Sequence, residues 1–361
     1  MKQQLTKIHI QGYKSLKDVE IELSNLNVLI GANGSGKSNF IGVFRFIRHL
    51  VNERLQFYVG QKGGAEKFLY YGSKETPALE INLDISDKEY AFKLVPRQGD
   101  RFIFEYEYCV NGETPPNRKN INTTFTESDL ATYSREKEYS VGKSVLSVLK
   151  GWQVYHFHDT SDTAKIKKTN NRHDTAYLFE DASNLAAFLW NMQEEHPKHY
   201  ERIVKVIQIY ISFFKDFYFK AIGEKKDKVL LQWQDKYSDV PFSADDLSDG
   251  TLRFMCLVTL LLQPELPSLI LLDEPELGLH PMAIGSLAGL LRKASALTQV
   301  IVSTQSVSLV DELEAEDIIV VDREASESTF TRLDTEKLAY WLNEYSLGDI
   351  WEKNIIGGLP S

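Results

Sequence analysis

A chain of 361 residues that is 43% hydrophobic carries enough apolar material for one large core or two domains. A net charge of −10 excludes a constitutive, non-specific coat for nucleic acid, and two cysteines (Cys109, Cys256) exclude a disulfide framework and suit a reducing cytosol. The first ten residues are broken up by Gln and Lys, and the longest apolar runs (Phe254 to Leu262, Leu269 to Leu272) are too short to span a bilayer, so a soluble cytoplasmic protein without membrane contact is expected.

The first elements read as strands. Ile8 and Ile10, then Val19, Ile21 and Leu23, alternate with polar residues, as half-buried strands do. The apolar run Val28-Leu29-Ile30 feeds GANGSGKS at 31–38. Phe40, Val43, Phe44, Ile47 and Val51 then recur at helical spacing. Gly31, Gly36, Lys37 and Ser38 occupy the fixed positions of G-x-x-x-x-G-K-[ST], in its required strand–loop–helix context. Glycine supplies the positive φ that turns backbone N–H groups around an anion. The helix N-terminus adds partial positive charge, Lys37 suits the β/γ-phosphates, and the Ser38 hydroxyl suits Mg²⁺.

From Leu79 the alternation sharpens. Leu79, Ile81, Leu83 and Ile85 share one face; Tyr90, Phe92 and Leu94 follow, then Phe102, Phe104, Tyr106 and Tyr108. This predicts a three-stranded antiparallel meander. Residues 111–122 are loop by composition. His156 and His158 alternate along VYHFHDTS as two potential metal ligands without an identifiable third, or as an ordinary strand edge. Lys165, Lys167, Lys168, Arg172 and His173 form a basic loop, either a solvated surface or a contact for DNA phosphates. Residues 184–219 read as helical, and Val229, Leu231 and Trp233 as a strand.

After residue 240 the pattern strengthens. Leu247 to Thr251 reads LSDGT and opens an apolar helix, with Ser248 and the Gly250 backbone at its N-terminus. Residues 268–281 read SLILLDEPELGLHP, a buried strand with Asp273 and Glu274 at its C-terminal edge, where ligands bind in α/β sheets. An aspartate there can hold the Mg²⁺ shell, and the next glutamate can polarise an attacking water. Leu338, Trp341, Leu342 and Tyr345 form an amphipathic stripe expected to pack on the protein's own body.

A P-loop, an LSxG-type motif and LLDEP in that order resemble the ABC-type ATPases. Within them, GSGKSN with Asn39, GYKSLKD at 12–18 and DEPELGLHP look like the RecF/SMC-like branch, and like small stand-alone bacterial ATPases that also carry LSDGTLRF and a tail similar to YSLGDIWEKNIIGG. The resemblance covers nearly the whole length. It implies an α/β P-loop NTPase of ABC-ATPase head type: a mixed sheet with an antiparallel β meander and an inserted, mostly helical lobe. Residues 1–75 and 240–361 would form the composite head and 76–239 the lobe, with the meander at 76–110. The resemblance also implies an ATP-dependent homodimer. Gly31, Asn33, Gly34, Ser35, Gly36, Lys37, Ser38 and Asn39 would hold ATP, with Lys14 nearby. Ser248, Asp249 and Gly250 of the other subunit would cover its γ-phosphate, with Asp249, in place of a family glycine, turned away to cap the next helix. Ser38 and Asp273 would hold Mg²⁺, with Gln61 a candidate third group, and Glu274 would be the general base.

The chain departs from the family where a switch histidine is expected, since Gln305 stands there and cannot carry a proton's charge. Slow hydrolysis follows, with Gln305 sensing the nucleotide. The expected activity is an ATP-driven switch engaging DNA in repair, recombination or surveillance. The alternative is a regulatory ATPase subunit controlling a protein effector, such as a nuclease in phage defence. A gap of roughly 200 residues between P-loop and LSDGT leaves no room for long coiled-coil arms.

Overall fold

The computed structural model describes residues 3–111, 120–135 and 140–359. Most of the loop read at 111–122 lies outside them. The chain divides into two compact units, residues 1–154, 267–271 and 314–361 in the first and residues 155–266 and 272–313 in the second.

The first unit opens with β1 (Leu5–Tyr13), β2 (Leu16–Glu22), β3 (Leu26–Ile30), α1 (Lys37–Val51) and α2 (Leu55–Gln61), followed by β4 (Leu79–Ile85), β5 (Lys88–Arg97) and β6 (Arg101–Asn111). The alternation from Leu79 is realised as the meander β4–β5–β6. It joins the first hairpin in a five-stranded antiparallel sheet of order β2-β1-β4-β5-β6. Leu79, Ile81, Leu83 and Ile85 are all fully buried, so the apolar face of this sheet is its core face. β3 is buried at every residue. It pairs in parallel with Ile318–Glu324, which returns antiparallel as Glu327–Arg332.

α1 buries nine of its fifteen residues and leaves Ser38, Asn39, Gly42, Arg45, Arg48 and His49 at least partly exposed, and its neighbours explain the breadth of the buried face. Phe46 lies 6.5 Å from Phe92 and 6.3 Å from Phe102 of the antiparallel sheet, ring centre to ring centre. On its other side Phe40 lies 5.3 Å from Phe330, and Phe44 lies 5.2 Å from Trp152. A helix covered on two faces needs two apolar stripes.

In the second unit, helix Leu185–Glu195 gives way to Pro197–Tyr210, where Pro197 at the first helical position loses no hydrogen bond. The helical reading to Phe219 fails here: Phe214–Tyr218 is a strand, antiparallel to Gln232–Asp235. Its register shifts between Gln234 and Asp235, leaving Lys215 as an extra residue. That bulge turns Phe214 and Phe217, three apart, into buried neighbours in a way that mimics a helical repeat. Helices Asp249–Leu262 and Pro281–Ser295 and strand Gln299–Ser303 complete the unit's described core.

The C-terminal stripe does not pack as expected. Only Leu338 is buried; Leu342 and Tyr345 are exposed, as is Tyr340 at 68%. The buried aromatic of this region is Trp351 instead. The basic loop is not a plain solvated surface either, because Lys167 is buried and the Arg172 guanidinium lies 4.1 Å from the Trp190 ring centre.

Candidate nucleotide site

The glycine loop belongs to the first unit. A Cβ on Gly31 would lie 2.1 Å from the Val321 carbonyl oxygen, and one on Gly36 would lie 2.1 Å from Ser328 Oγ. Both glycines have positive φ, and neither position admits a side chain. α1 begins with Gly36 as its N-cap and no capping side chain, which leaves first-turn N–H groups open to an anion. Ser35 Oγ is buried without a partner. Lys37 is buried, and its Nζ donates to the carbonyls of Gly31 at 2.5 Å and Ala32 at 3.0 Å. Asn33, Gly34 and Ser38 are exposed.

A second tier braces the loop from distant sequence. Ser328 Oγ donates to the Ser35 carbonyl at 2.5 Å and lies 2.8 Å from Ser15 Oγ, which accepts from Asn39 Nδ2 at 2.8 Å. Arg323 donates to the Gly34 carbonyl at 3.3 Å. The Gly358 N–H donates to the Asp322 carboxylate at 3.0 Å, and a Cβ on Gly358 would sit 3.4 Å from Gly31 Cα. Lys14 occupies the β1–β2 turn with φ 48°, its amine 5.5 Å from the Tyr13 ring centre. Burial, then the charges of Lys62 and Arg45, hold its pKa below the usual lysine value. Gln61 is the last residue of α2 and is exposed.

The carboxylates belong to the second unit. Asp273 ends the strand Leu269–Asp273, and Glu274 follows with φ 44°, a left-handed conformation that a glutamate rarely adopts. Its N–H donates to the Ser303 carbonyl at 2.8 Å, and its Oε1 accepts from Gln305 Nε2 at 2.5 Å. Gln305 and Glu274 are therefore brought together. Glu276 is buried, accepts from Thr304 Oγ1 at 2.5 Å, and keeps a buried Oε2 without a partner. Burial raises its pKa above the ordinary carboxylate range.

Ser248 caps helix Asp249–Leu262, its Oγ accepting from the Thr251 N–H at 3.2 Å. The cap is thus Ser248; Asp249, expected to serve, is the first helical residue because its backbone has already turned helical. Both side chains are exposed. Gly250 passes so close to the DEPELG turn that a Cβ on it would lie 2.1 Å from the Gly278 carbonyl oxygen. The potential histidine ligands do not build a metal centre. His158 Nε2 donates to the Asp273 carbonyl at 2.8 Å, and among the described residues no group of three His, Cys, Asp or Glu could hold an ion.

Residues 26–311 match the family model described as an AAA domain, putative AbiEii toxin of a type IV toxin–antitoxin system. The chain belongs to that AAA-domain family. This AAA-domain chain also has the fold of SMC heads. It matches a structure of the SmcHead bound to the C-winged helix domain of ScpA with a TM-score of 0.62 at 16% identity, covering 93% of this chain and 99% of that one. A second match, the Smc head domain with an extended coiled coil bound to the C-terminal domain of ScpA from Pyrococcus furiosus, has a TM-score of 0.57 at 15% identity, over 95% and 99% of the two chains. A chromosome segregation protein of Emericella nidulans, sudA, is 36% identical over 91 residues, or 23% of this chain. The AAA-domain chain matches only 7% of that relative's length. Among the described residues no helix is long and apolar enough to cross a membrane.

Sequence reasoning passed over Ser15 and Ser328 beside the loop, Glu276, and Arg253 beyond LSDGT. Glu276 and Arg253 lie inside quoted motifs, DEPELGLHP and LSDGTLRF, and could have been questioned there. Ser328 carries no local signal.

Proposed function

We propose that the protein is an ATP-binding and hydrolysing switch of which two copies close around ATP and reopen after hydrolysis. The observation that carries this reading is the exposed LSDGT turn: Ser248 and Asp249 stand on the surface at the start of an otherwise buried helix. The Ser248 hydroxyl and the N–H groups at the start of that helix suit a triphosphate held by a second copy, from which the Asp249 carboxylate would have to face away.

The loop residues fit the triphosphate through open first-turn amides, the orphan Ser35 hydroxyl and a lysine already lying on the loop's carbonyls. In this reading Gly31, Asn33, Gly34, Ser35, Gly36, Lys37 and Ser38 bind the phosphates, Asn39 braces the loop through Ser15, and Lys14 lies towards the nucleotide. Ser38 and Asp273 would hold Mg²⁺, with Gln61 as a further candidate, and the ion would neutralise phosphate charge when bound. Glu274 takes the proton of the attacking water. The Gln305 amide steadies the Glu274 carboxylate without supplying a proton, which favours slow turnover. ATP binds the closed pair better than the open chain and so shifts the population towards it.

The decisive experiment is light scattering of Glu274→Gln with ATP and Mg²⁺. Accumulation of a stable dimer is expected, and a monomer at saturating ATP would refute the two-copy mechanism. Engagement of DNA in repair, recombination or surveillance is the output suggested by likeness to SMC heads and to a chromosome segregation protein. ATP-stimulated, salt-dependent binding of duplex or single-stranded DNA tests it. A second output is control of a protein effector in defence; the family description, a putative toxin of a type IV toxin–antitoxin system, gives a reason to test for a protein partner. Co-purification of a neighbouring gene product without DNA affinity would select that one.

A further inference from the structure

Gln305 reaches Glu274 through a long side chain of the kind that loses most rotamer freedom when ordered. Where its amide points therefore depends on how firmly the backbone beneath it is held, and that backbone is pinned on both sides. After it, Ser306 caps the short helix Val307–Val310, its Oγ accepting from the Leu309 N–H at 3.2 Å. The Ser306 N–H donates back to Thr304 Oγ1 at 2.9 Å. Before it, the fully buried Thr304 turns the same hydroxyl onto the Glu276 carboxylate. Glu276 is fixed in its turn by two backbone bonds, from the Leu277 N–H to the Glu274 carbonyl at 3.2 Å and from the Leu279 N–H to the Glu276 carbonyl at 2.9 Å. The Glu274 N–H closes the frame on the Ser303 carbonyl. Glu276 keeps one oxygen on Thr304 and the other buried without a partner. A buried oxygen of that kind destabilises a fold, so packing alone does not account for this carboxylate.

We infer that Glu276 is a positioning residue: through Thr304 it sets the backbone at Gln305 so that the Gln305 amide lands on the Glu274 carboxylate. One oxygen of Glu274 is then occupied and oriented, and the other is left for the proton of the attacking water. Glu276 acts only through Thr304 and Gln305. Its consequence for turnover rests on the role proposed above for Glu274, whereas the positioning itself is present without ATP. Loss of the Glu276–Thr304 bond frees the amide, loosens Glu274 and slows hydrolysis. It does not weaken ATP binding, because none of these contacts involves the glycine loop.

The test uses the full chain, isotope-labelled at glutamine for nuclear magnetic resonance, with thermal melts to confirm folding. The Gln305 side-chain amide signal is assigned by its loss in Gln305→Ala. Without ATP, Glu276→Ala and Thr304→Val should each move that signal towards its position in Glu274→Ala, where the amide has lost its acceptor. Glu276→Gln, whose amide oxygen still accepts from Thr304, should leave it in place. With ATP and Mg²⁺, Glu276→Ala and Thr304→Val should lower kcat by roughly 10- to 100-fold, the scale of losing an outer support of a site. Affinity for a fluorescent ATP analogue should not change. In a Gln305→Ala background neither substitution should lower kcat further. An amide signal unmoved in the folded variants, or moved as far by Glu276→Gln as by Glu276→Ala, overturns the inference and leaves the hydrolytic reading intact. So does a full loss of kcat from Glu276→Ala on top of Gln305→Ala, which would mark a general structural role. A wild type that does not hydrolyse ATP refutes the hydrolytic reading, and the amide signal still decides the positioning.

Discussion

Replacing Gly36 with alanine tests whether the glycine loop is shaped by Ser328. The new Cβ would fall 2.1 Å from Ser328 Oγ and 2.7 Å from its Cβ, where real contacts rarely fall below about 3.4 Å. Overpacking of this kind costs about 1–3 kcal/mol. The backbone at φ 124° and ψ −1° adds about 1–3 kcal/mol for any L-residue. Gly36→Ala should therefore destabilise by about 2–6 kcal/mol. Ser328→Gly alone removes the bond to the Ser35 carbonyl, at about 1 kcal/mol, and adds about 0.5–1 kcal/mol for glycine within a strand. In the double variant the clash disappears, leaving the backbone cost plus that of Ser328→Gly, so the pair should fall short of additivity by about 1–3 kcal/mol. Urea unfolding of the four proteins measures this, with binding of a fluorescent ATP analogue as a second readout. Additivity within about 0.5 kcal/mol would refute the steric argument.

Three further outcomes are expected. Glu107 is fully buried and accepts from Tyr90, Ser128, Asn122 and the Asp129 N–H. Glu107→Leu orphans those donors and should cost about 2–5 kcal/mol, whereas Glu107→Gln can satisfy them by rotation of the two hydroxyls and should cost about 1 kcal/mol. Burial raises the Glu107 pKa, so its stabilising contribution is complete below the unfolded-state pKa and is lost as pH rises through the folded one. The deficit of Glu107→Gln should shrink from acid to neutral pH in chemical unfolding, and a widening gap would contradict this. Trp351→Ala should lower stability by about 3–5 kcal/mol while Tyr340→Ser stays within about 0.5 kcal/mol, as thermal melts would show. Asp322→Ala releases the Gly358 N–H and should speed proteolytic cleavage in the last ten residues; unchanged cleavage would show that the tail is held elsewhere.

The loop at 31–38, the strand into Asp273 and the meander were legible because each is written locally. A glycine pattern, a run of four apolar residues and strict alternation each lie within a short window. What braces the loop was not legible. Ser328 and Arg323 act on it from 293 and 289 residues away, and single serines and arginines have no period. Arg253 and His158 were hidden for another reason. Their partners are backbone carbonyls, which any residue supplies, so no complementary residue type marks the contact. The strand at Phe214–Tyr218 was misread because one bulged residue converts a two-residue repeat into a three-residue one. The stripe around Trp341 shows the converse, an apolar periodicity that the described fold leaves largely in water.

The aromatic wedging of α1 between two sheets has a mechanical corollary. A rod gripped along both flanks by Phe92, Phe102, Phe330 and Trp152 cannot tilt or slide without opening a void on one side. The anion-facing end of α1 is thus an anvil, stationary while the ligand arrives and leaves. In the two-copy cycle proposed above, movement would then fall to the surface residues Ser248 and Asp249 rather than to this helix.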